Sequence, residues 1–281
     1  MQLLTPASIA ELLERHGLRP SRALGQHYLA DPNTARRIVR LAGVQTGDPV
    51  LEIGPGIGSL TLALAEAGAR VTALELDRHV LPALEEVVLD EPGVRVVQGD
   101  ALDVDLAGLL DVGPFDAGQR WSVVANLPYN VATPIVVRLL ETEPRVSSLL
   151  VMVQREVGER LAAAPGSKAY GAVSVKVAYF AAAHVQGVVS PNVFFPPPKV
   201  ESALVRLDRH AEPPVSVPST DQLFALVRAG FSQRRKMLRR ALQPVLHDTT
   251  TATLERAGIA PTARAEQLDL AAWAALARAA A

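Results

Sequence analysis

Along this chain the pattern of apolar and polar residues changes period repeatedly, dividing the sequence into short strands and amphipathic helices. Thr5-Pro6 opens a first helix that Gly17 ends, with proline at the start and glycine at the end as helix termini favour. A basic, glycine-containing loop follows from Arg19 to Tyr28. Asp31-Pro32 caps a second helix, closed near Gly43.

From Pro49 the alternation is regular. Apolar runs read as strands at 50–53, 71–76, 94–98, 122–125 and 149–153. Helical stretches follow at 60–67, through Val88, from Thr133-Pro134 and over 155–163. Strands separated by helices predict an α/β fold with a doubly wound, mostly parallel, Rossmann-like sheet. Val173, Val175, Val177 and Tyr179 alternate as in a strand, yet residues 170–183 fit one helix equally, and the pattern leaves both open. After the turn Phe195-Pro196-Pro197-Pro198, residues 200–207 read as a closing strand. Pro213 to Pro218 has the composition of a linker, beyond which the pattern is helical and Ala-rich. The expected organisation is a large domain over 1–210, with N-terminal helices and the basic loop in its first 45 residues. A linker at 211–220 and a small all-helical domain at 221–281 complete it.

Composition removes several classes of chemistry. With no cysteine among 281 residues, a disulfide framework, a thiol nucleophile and a zinc-thiolate site are all excluded. The six histidines are scattered without ligand spacing, so no metal is expected. No apolar stretch reaches membrane-spanning length and the amino terminus lacks a signal-peptide pattern, which makes the cytoplasm the expected location. Net charge is −1, giving no global sign of a nucleic-acid partner. Locally, Arg234 to Arg240 holds five positive residues and no negative one, an exposed basic helix face suited to phosphate.

Chemistry concentrates at the predicted strand ends, where open α/β sheets bind ligands. Gly54-Pro55-Gly56-Ile57-Gly58 joins the first strand to a helix, and glycine lets the backbone turn sharply against a ligand. Its spacing departs from the dinucleotide fingerprint Gly-x-Gly-x-x-Gly. Glu52, just before it, reads as a turn-bracing carboxylate. Glu75 ends the next strand, where a carboxylate can take both ribose hydroxyls, and Asp100 ends the third, within reach of an adenine amino group. Glycine turn, ribose carboxylate and adenine carboxylate in that order fit S-adenosylmethionine better than NAD. At the fourth strand end stands Asn126-Leu127-Pro128-Tyr129. The Asn126 side-chain oxygen and the Pro128 carbonyl can accept the two hydrogens of an exocyclic amino group, and Tyr129 offers a face for a planar ring.

This order resembles the class I methyltransferases that modify the exocyclic nitrogen of adenine. Leu24 to Leu29, Gln154 to Arg160 and Val193 to Ser202 narrow the resemblance to the ribosomal RNA adenine dimethyltransferases, the kasugamycin-resistance family, and to its bacterial small-subunit branch. It covers the chain from about Arg19 to Leu238. The resemblance implies S-adenosylmethionine as cofactor, with contacts at His27, Leu29, Gly54, Glu75, Asp100 and Asn126; Gly56 joins them from the glycine turn. It implies dimethylation at N6 of two adjacent adenosines near the 3′ end of 16S RNA, with RNA of an immature 30S subunit as partner and a monomeric enzyme. Asn126, Leu127, Pro128 and Tyr129 would carry the reaction, with Phe194 or Phe195 covering the other face of the base. Arg155, Arg160, Lys199, Arg234, Arg235 and Lys236 are the remaining substrate-side candidates, the arginines and Lys236 as phosphate contacts. Three alternatives stay open: adenine methylation of large-subunit RNA or of DNA, a non-catalytic assembly or transcription factor, and a nicotinamide oxidoreductase.

Overall fold

The computed structural model describes residues 3–21, 25–111 and 118–281. Leu24, part of the basic-loop motif, lies outside the described residues, as do its neighbours 22 and 23. The strands are β1 (Tyr28–Leu29), β2 (Pro49–Ile53), β3 (Arg70–Glu75), β4 (Val94–Gln98), β5 (Trp121–Asn126), β6 (Val146–Gln154), β7 (Ala181–Val189), β8 (Phe194–Phe195) and β9 (Ser202–Arg209). Seven of them form one sheet in the order β4-β3-β2-β5-β6-β9-β7. β4, β3, β2, β5 and β6 run parallel, whereas β9 pairs antiparallel with β6 from Ser148↔Asp208 to Gln154↔Ser202. All five residues of β2 are buried, as are Val123, Val124 and Ala125 of β5, because helices cover both faces of a doubly wound sheet.

The chain order reverses between β2 and β5. From β2 it builds outward through β3 and β4, then crosses to β5 and β6 on the other side. Carboxyl ends of strands flanking such a switch diverge and leave a crevice. β1 and β8 form a separate antiparallel pair, Tyr28↔Phe195 and Leu29↔Phe194, which the sequence pattern does not announce.

The helices obey their expected caps. Asp31 Oδ2 accepts from the Thr34 amide at 2.9 Å, and Gly43 closes that helix with φ 72°.

The chain divides into two compact units, one up to Gly158 plus His184–Arg209, the other Glu159–Ala183 plus His210–Ala281. The second is not confined to residues 221–281 as the sequence suggests. Tyr170, Val175 and Tyr179 are buried in one apolar cluster with Leu223, Phe224, Leu226 and Trp273. Residues 170–183 resolve into both structures left open by their pattern: helix Ala172–Phe180, then β7 from Ala181. The basic run is not one helix face. Residues 233–237 form the connection between helices Thr220–Ser232 and Leu238–Ala241.

Candidate active site

A cleft at the carboxyl ends of β2, β3 and β5 collects the candidate residues, enclosing about 880 Å³ with its mouth included. His27, Leu29, Gly54, Gly56, Glu75 and the whole run Asn126 to Tyr129 line it.

The glycine turn works by close approach. Gly54 has φ 70°, and a Cβ there would stand 3.3 Å from Pro128 Cδ. Gly56 has φ 58°, and a Cβ would come within 2.9 Å of the Tyr28 ring. Both positions therefore exclude side chains for conformational and steric reasons.

Glu75 is buried, with its carboxylate already drawn into the turn. Its Oε2 accepts from the Gly56 amide at 2.9 Å and its Oε1 from the Asp77 amide at 2.8 Å. Burial raises its pKa, opposed by the amides of Asp77 and Gly56. Each carboxylate oxygen has a second acceptor direction, so the group can still receive a diol. Leu76, at 53% exposed, gives the cleft an apolar surface beside it. Glu52 lies deeper, almost fully buried, where Thr61 Oγ1 donates to its Oε2 at 2.7 Å. Burial above all, with the nearby charge of Glu75, pushes its carboxyl up to about 8 against the Thr61 bond. Ser59 Oγ is buried in the same lining and has no partner among the described residues.

Asn126 ends β5 with its amide turned in a definite sense. Nδ2 donates to the His27 carbonyl at 3.1 Å, which leaves Oδ1 buried and without a partner among the described residues. The Pro128 carbonyl accepts from the Val131 amide at 3.2 Å and keeps one acceptor direction. Tyr129 is half-buried, its ring 5.6 Å from the His27 ring with a 30° tilt. His27 Nδ1 donates to the Pro196 carbonyl at 2.8 Å. Gln26, whose Nε2 donates to Asp77 Oδ2 at 2.9 Å, ties the loop to the β3 end.

Other candidates stand differently. Leu127 is 1% exposed and its amide donates to the Met152 carbonyl, so its side chain anchors the loop in the core. Asp100 is exposed and outside the cleft lining, with Oδ1 accepting from the Leu102 amide at 2.8 Å, a turn-capping bond. Phe194 is buried among Leu29, Val189 and Leu204, and Phe195 packs beside Tyr28, so neither borders the cleft. The β1–β8 pair thus packs the Phe194 ring in the core and leaves Phe195 partly exposed. Arg155 pairs with Glu201 at 2.8 Å on the surface, Arg160 is partly buried in helix Arg155–Leu161, and Lys199 is exposed. In the second unit, Arg234 Nε donates to Glu266 at 2.8 Å and Nη2 to the Lys168 carbonyl at 2.8 Å, so it holds the turn together. Arg235 and Lys236 are exposed.

Sequence reasoning passed over Ser59, Leu76, Gln26 and Tyr28. Leu76 and Asp77 directly follow Glu75 and were legible as neighbours of a cleft residue. Gln26 and Asp77 are 51 positions apart and carry no local signal of contact. The lining fits the expected cofactor: a carboxylate for a diol, an apolar face for a base, and acceptor atoms around the glycine turn. Among the described residues, no group of three or more His, Asp or Glu is placed to hold a metal. Nor is any helix there long and apolar enough to cross a membrane.

A family profile described as ribosomal RNA adenine dimethylase matches residues 18–281. A protein of Leifsonia xyli, ribosomal RNA small subunit methyltransferase A, is 48% identical over 96% of this chain and 96% of its own length. The protein of that name from Rhodococcus opacus is 47% identical over 98% of this chain and 94% of its own. Among solved structures, a dimethyladenosine transferase from Plasmodium falciparum superposes with TM-score 0.73 and 25% identity, covering 89% of this chain and 96% of its own. The 23S rRNA methyltransferase ErmE gives TM-score 0.67 and 26% identity, covering 90% and 98%.

Proposed function

The chain belongs to the ribosomal RNA adenine dimethylase family, and on that premise we propose how it acts. It is an S-adenosylmethionine-dependent methyltransferase that dimethylates N6 of two adjacent adenosines near the 3′ end of 16S ribosomal RNA. Its substrate is the RNA of an immature 30S subunit in the cytoplasm, and it works as a monomer.

One observation supports the site assignment above all: the lone acceptor Asn126 Oδ1. A buried acceptor without a partner is costly unless a ligand completes it. The His27 carbonyl takes Nδ2, which leaves Oδ1 as the unpaired acceptor of a residue that lines the cleft. A target adenine leaves its stack and enters the cleft. Asn126 Oδ1 and the free direction of the Pro128 carbonyl then accept the two N6 hydrogens, while Tyr129 stacks on the ring. These contacts turn the nitrogen lone pair away from the amide plane and toward the donor. When bound, S-adenosylmethionine supplies a methyl carbon made electrophilic by a sulfonium. With that methyl donor in place the N6 lone pair would form the new N–C bond as the C–S electron pair leaves on sulfur, and one N6 proton would pass to water. No strong base is needed, and catalysis is mostly positioning and stabilisation of positive charge at N6. Glu75 and the glycine turn would hold the adenosine part, Leu29 and His27 the loop side. Arg235 and Lys236 would meet RNA phosphate.

Labelled cofactor tests the proposal. The protein is incubated with 30S subunits lacking the two dimethyladenosines, and separately with protein-free large-subunit RNA. Label in the small-subunit RNA at both adenosines is expected. Label confined to large-subunit RNA overturns the assignment.

A further inference from the structure

Ser202 stands outside every candidate so far, yet it touches the site directly. It is the first residue of β9, completely buried, and its Oγ lies 2.6 Å from the Tyr129 hydroxyl. β9 is fixed there by its pairing with Gln154 of β6 and by the Arg155 amide, which donates to the Glu201 carbonyl at 2.9 Å. The Tyr129 ring is thus tied at both ends: its Cα by the Pro128 turn, its hydroxyl by β9, two strands away from β5 in the sheet. Burial raises the phenol's pKa, so the hydroxyl stays protonated and the bond is kept.

We propose that Ser202 is a positioning residue that acts through Tyr129 and governs the second methyl transfer more than the first. The proposal rests on the adenine N6 reading above. Unmodified N6 carries two hydrogens, one for Asn126 Oδ1 and one for the Pro128 carbonyl. The first transfer replaces one N–H with N–CH3, with the proton released to water. Monomethylated N6 therefore keeps one hydrogen for two acceptors, and the amide cradle orients it less well. Ring stacking on Tyr129 then carries a larger share of the alignment, and alignment within a fraction of an ångström is what proximity catalysis requires. A tyrosine ring held at its hydroxyl resists tilting; a ring held only at Cβ does not.

Ser202→Ala and Tyr129→Phe each remove one partner of this bond, and Tyr129→Phe retains the stacking face. The measurement is the ratio of monomethyl to dimethyl adenosine during methylation of small-subunit RNA, by mass spectrometry of nucleosides. A lost hydrogen bond corresponds to roughly a three- to tenfold slowing of the second step relative to the first. Monomethyladenosine is expected to accumulate by about that factor in either variant. The double variant is expected to match the single ones, because both changes cut the same bond. Cofactor affinity by calorimetry is expected to stay within about twofold of the unmodified protein. An unchanged ratio in Tyr129→Phe overturns the proposal whether or not Ser202→Ala folds, and so do additive effects in the double variant. Absence of small-subunit methylation by the unmodified protein is a different result: it removes the underlying reading, not this inference alone.

Discussion

The cleft wall at Asn126 to Tyr129 and the basic turn at Arg234 to Lys236 are both polar, yet they are built in opposite ways. The polar side chains of the wall have a fixed sense. Asn126 Nδ2 is held by the His27 carbonyl and Tyr129 by Ser202, which leaves Asn126 Oδ1 for a ligand beside the free direction of the Pro128 carbonyl. In the basic turn only Arg234 is tied down, by Glu266 and the Lys168 carbonyl, while Arg235 and Lys236 stand in solvent. The difference matches the two tasks proposed for them. Orienting a lone pair needs a rigid acceptor, whereas holding phosphate needs only positive charge within a few ångströms.

Asn126→Ala tests the rigid half and is expected to have the largest effect. Loss of a preorganised polar group at the reacting centre costs roughly 10²- to 10³-fold in rate. RNA affinity, measured by filter binding, is expected to change by less than about twofold, since base contacts at one nucleotide add little to phosphate attraction. Methylation near the unmodified rate would remove Asn126 from its role.

The cleft also buries a titratable group as the turn never does, and Glu52 of β2 makes that measurable. Its folded pKa of about 8 stands above the ordinary 4.5. Below pH 4.5 both folded and unfolded chains carry the proton. Between there and pH 8 only the unfolded chain ionises, so the folded state loses stability as pH rises through this window. Glu52→Gln removes the titration. Its stability advantage is expected to grow from near zero at pH 4.5 to a few kcal/mol at pH 8, rising by at most about 1.4 kcal/mol for each pH step of one. Thermal melts of both proteins across that range check it. A constant difference would mean that Glu52 is ionised in the folded protein.

How much of this was legible depended on distance along the chain. Strand ends, glycine turn and helix caps are local, and Glu75, Gly54 and Asn126 were recognisable at strand ends from the sequence alone. Burial that switches period is harder. Val173 to Tyr179 show two-residue alternation, yet the segment is helical because Gly171 and Ser174 start a turn and Tyr170, Val175 and Tyr179 find an apolar cluster elsewhere in the chain. Phe194 and Phe195 stand next to a proline run, and nothing there announces that they pair with Tyr28–Leu29, about 166 residues earlier. Ser202 closes the Val193 to Ser202 motif, but its contact with Tyr129, 73 positions away, left no local sign. Contacts of that kind are set by sheet order, and sheet order is not written locally.

The flexible half is tested by Arg235→Ala with Lys236→Ala. RNA affinity is expected to fall by roughly three- to tenfold at moderate salt, and the slope of log affinity against log salt by about one to two. The rate at saturating RNA and the cofactor affinity are expected to hold. A drop in that saturated rate would give the turn a share in alignment and erase the contrast with the cleft.

Asp100 lies between these extremes and should give the smallest change. It lies two residues past the end of β4, whereas Glu75 is the last residue of β3; it is exposed and caps the Leu102 amide, while Glu75 is buried and braces Gly56. Water competes for an exposed carboxylate, so its hydrogen bond to a ligand amino group contributes little. Its loop also has an independent support: Arg138 donates to the Ala101 and Val104 carbonyls, each at 2.6 Å. Asp100→Ala should therefore leave the loop in place and weaken S-adenosylmethionine binding only about two- to fivefold in calorimetry, with RNA affinity unaffected. Glu75→Ala should weaken it considerably more, because the Gly56 turn loses its brace as well. Equal losses in the two variants would show that exposure does not discount a strand-end carboxylate here, and that Asp100 closes onto the cofactor when it binds.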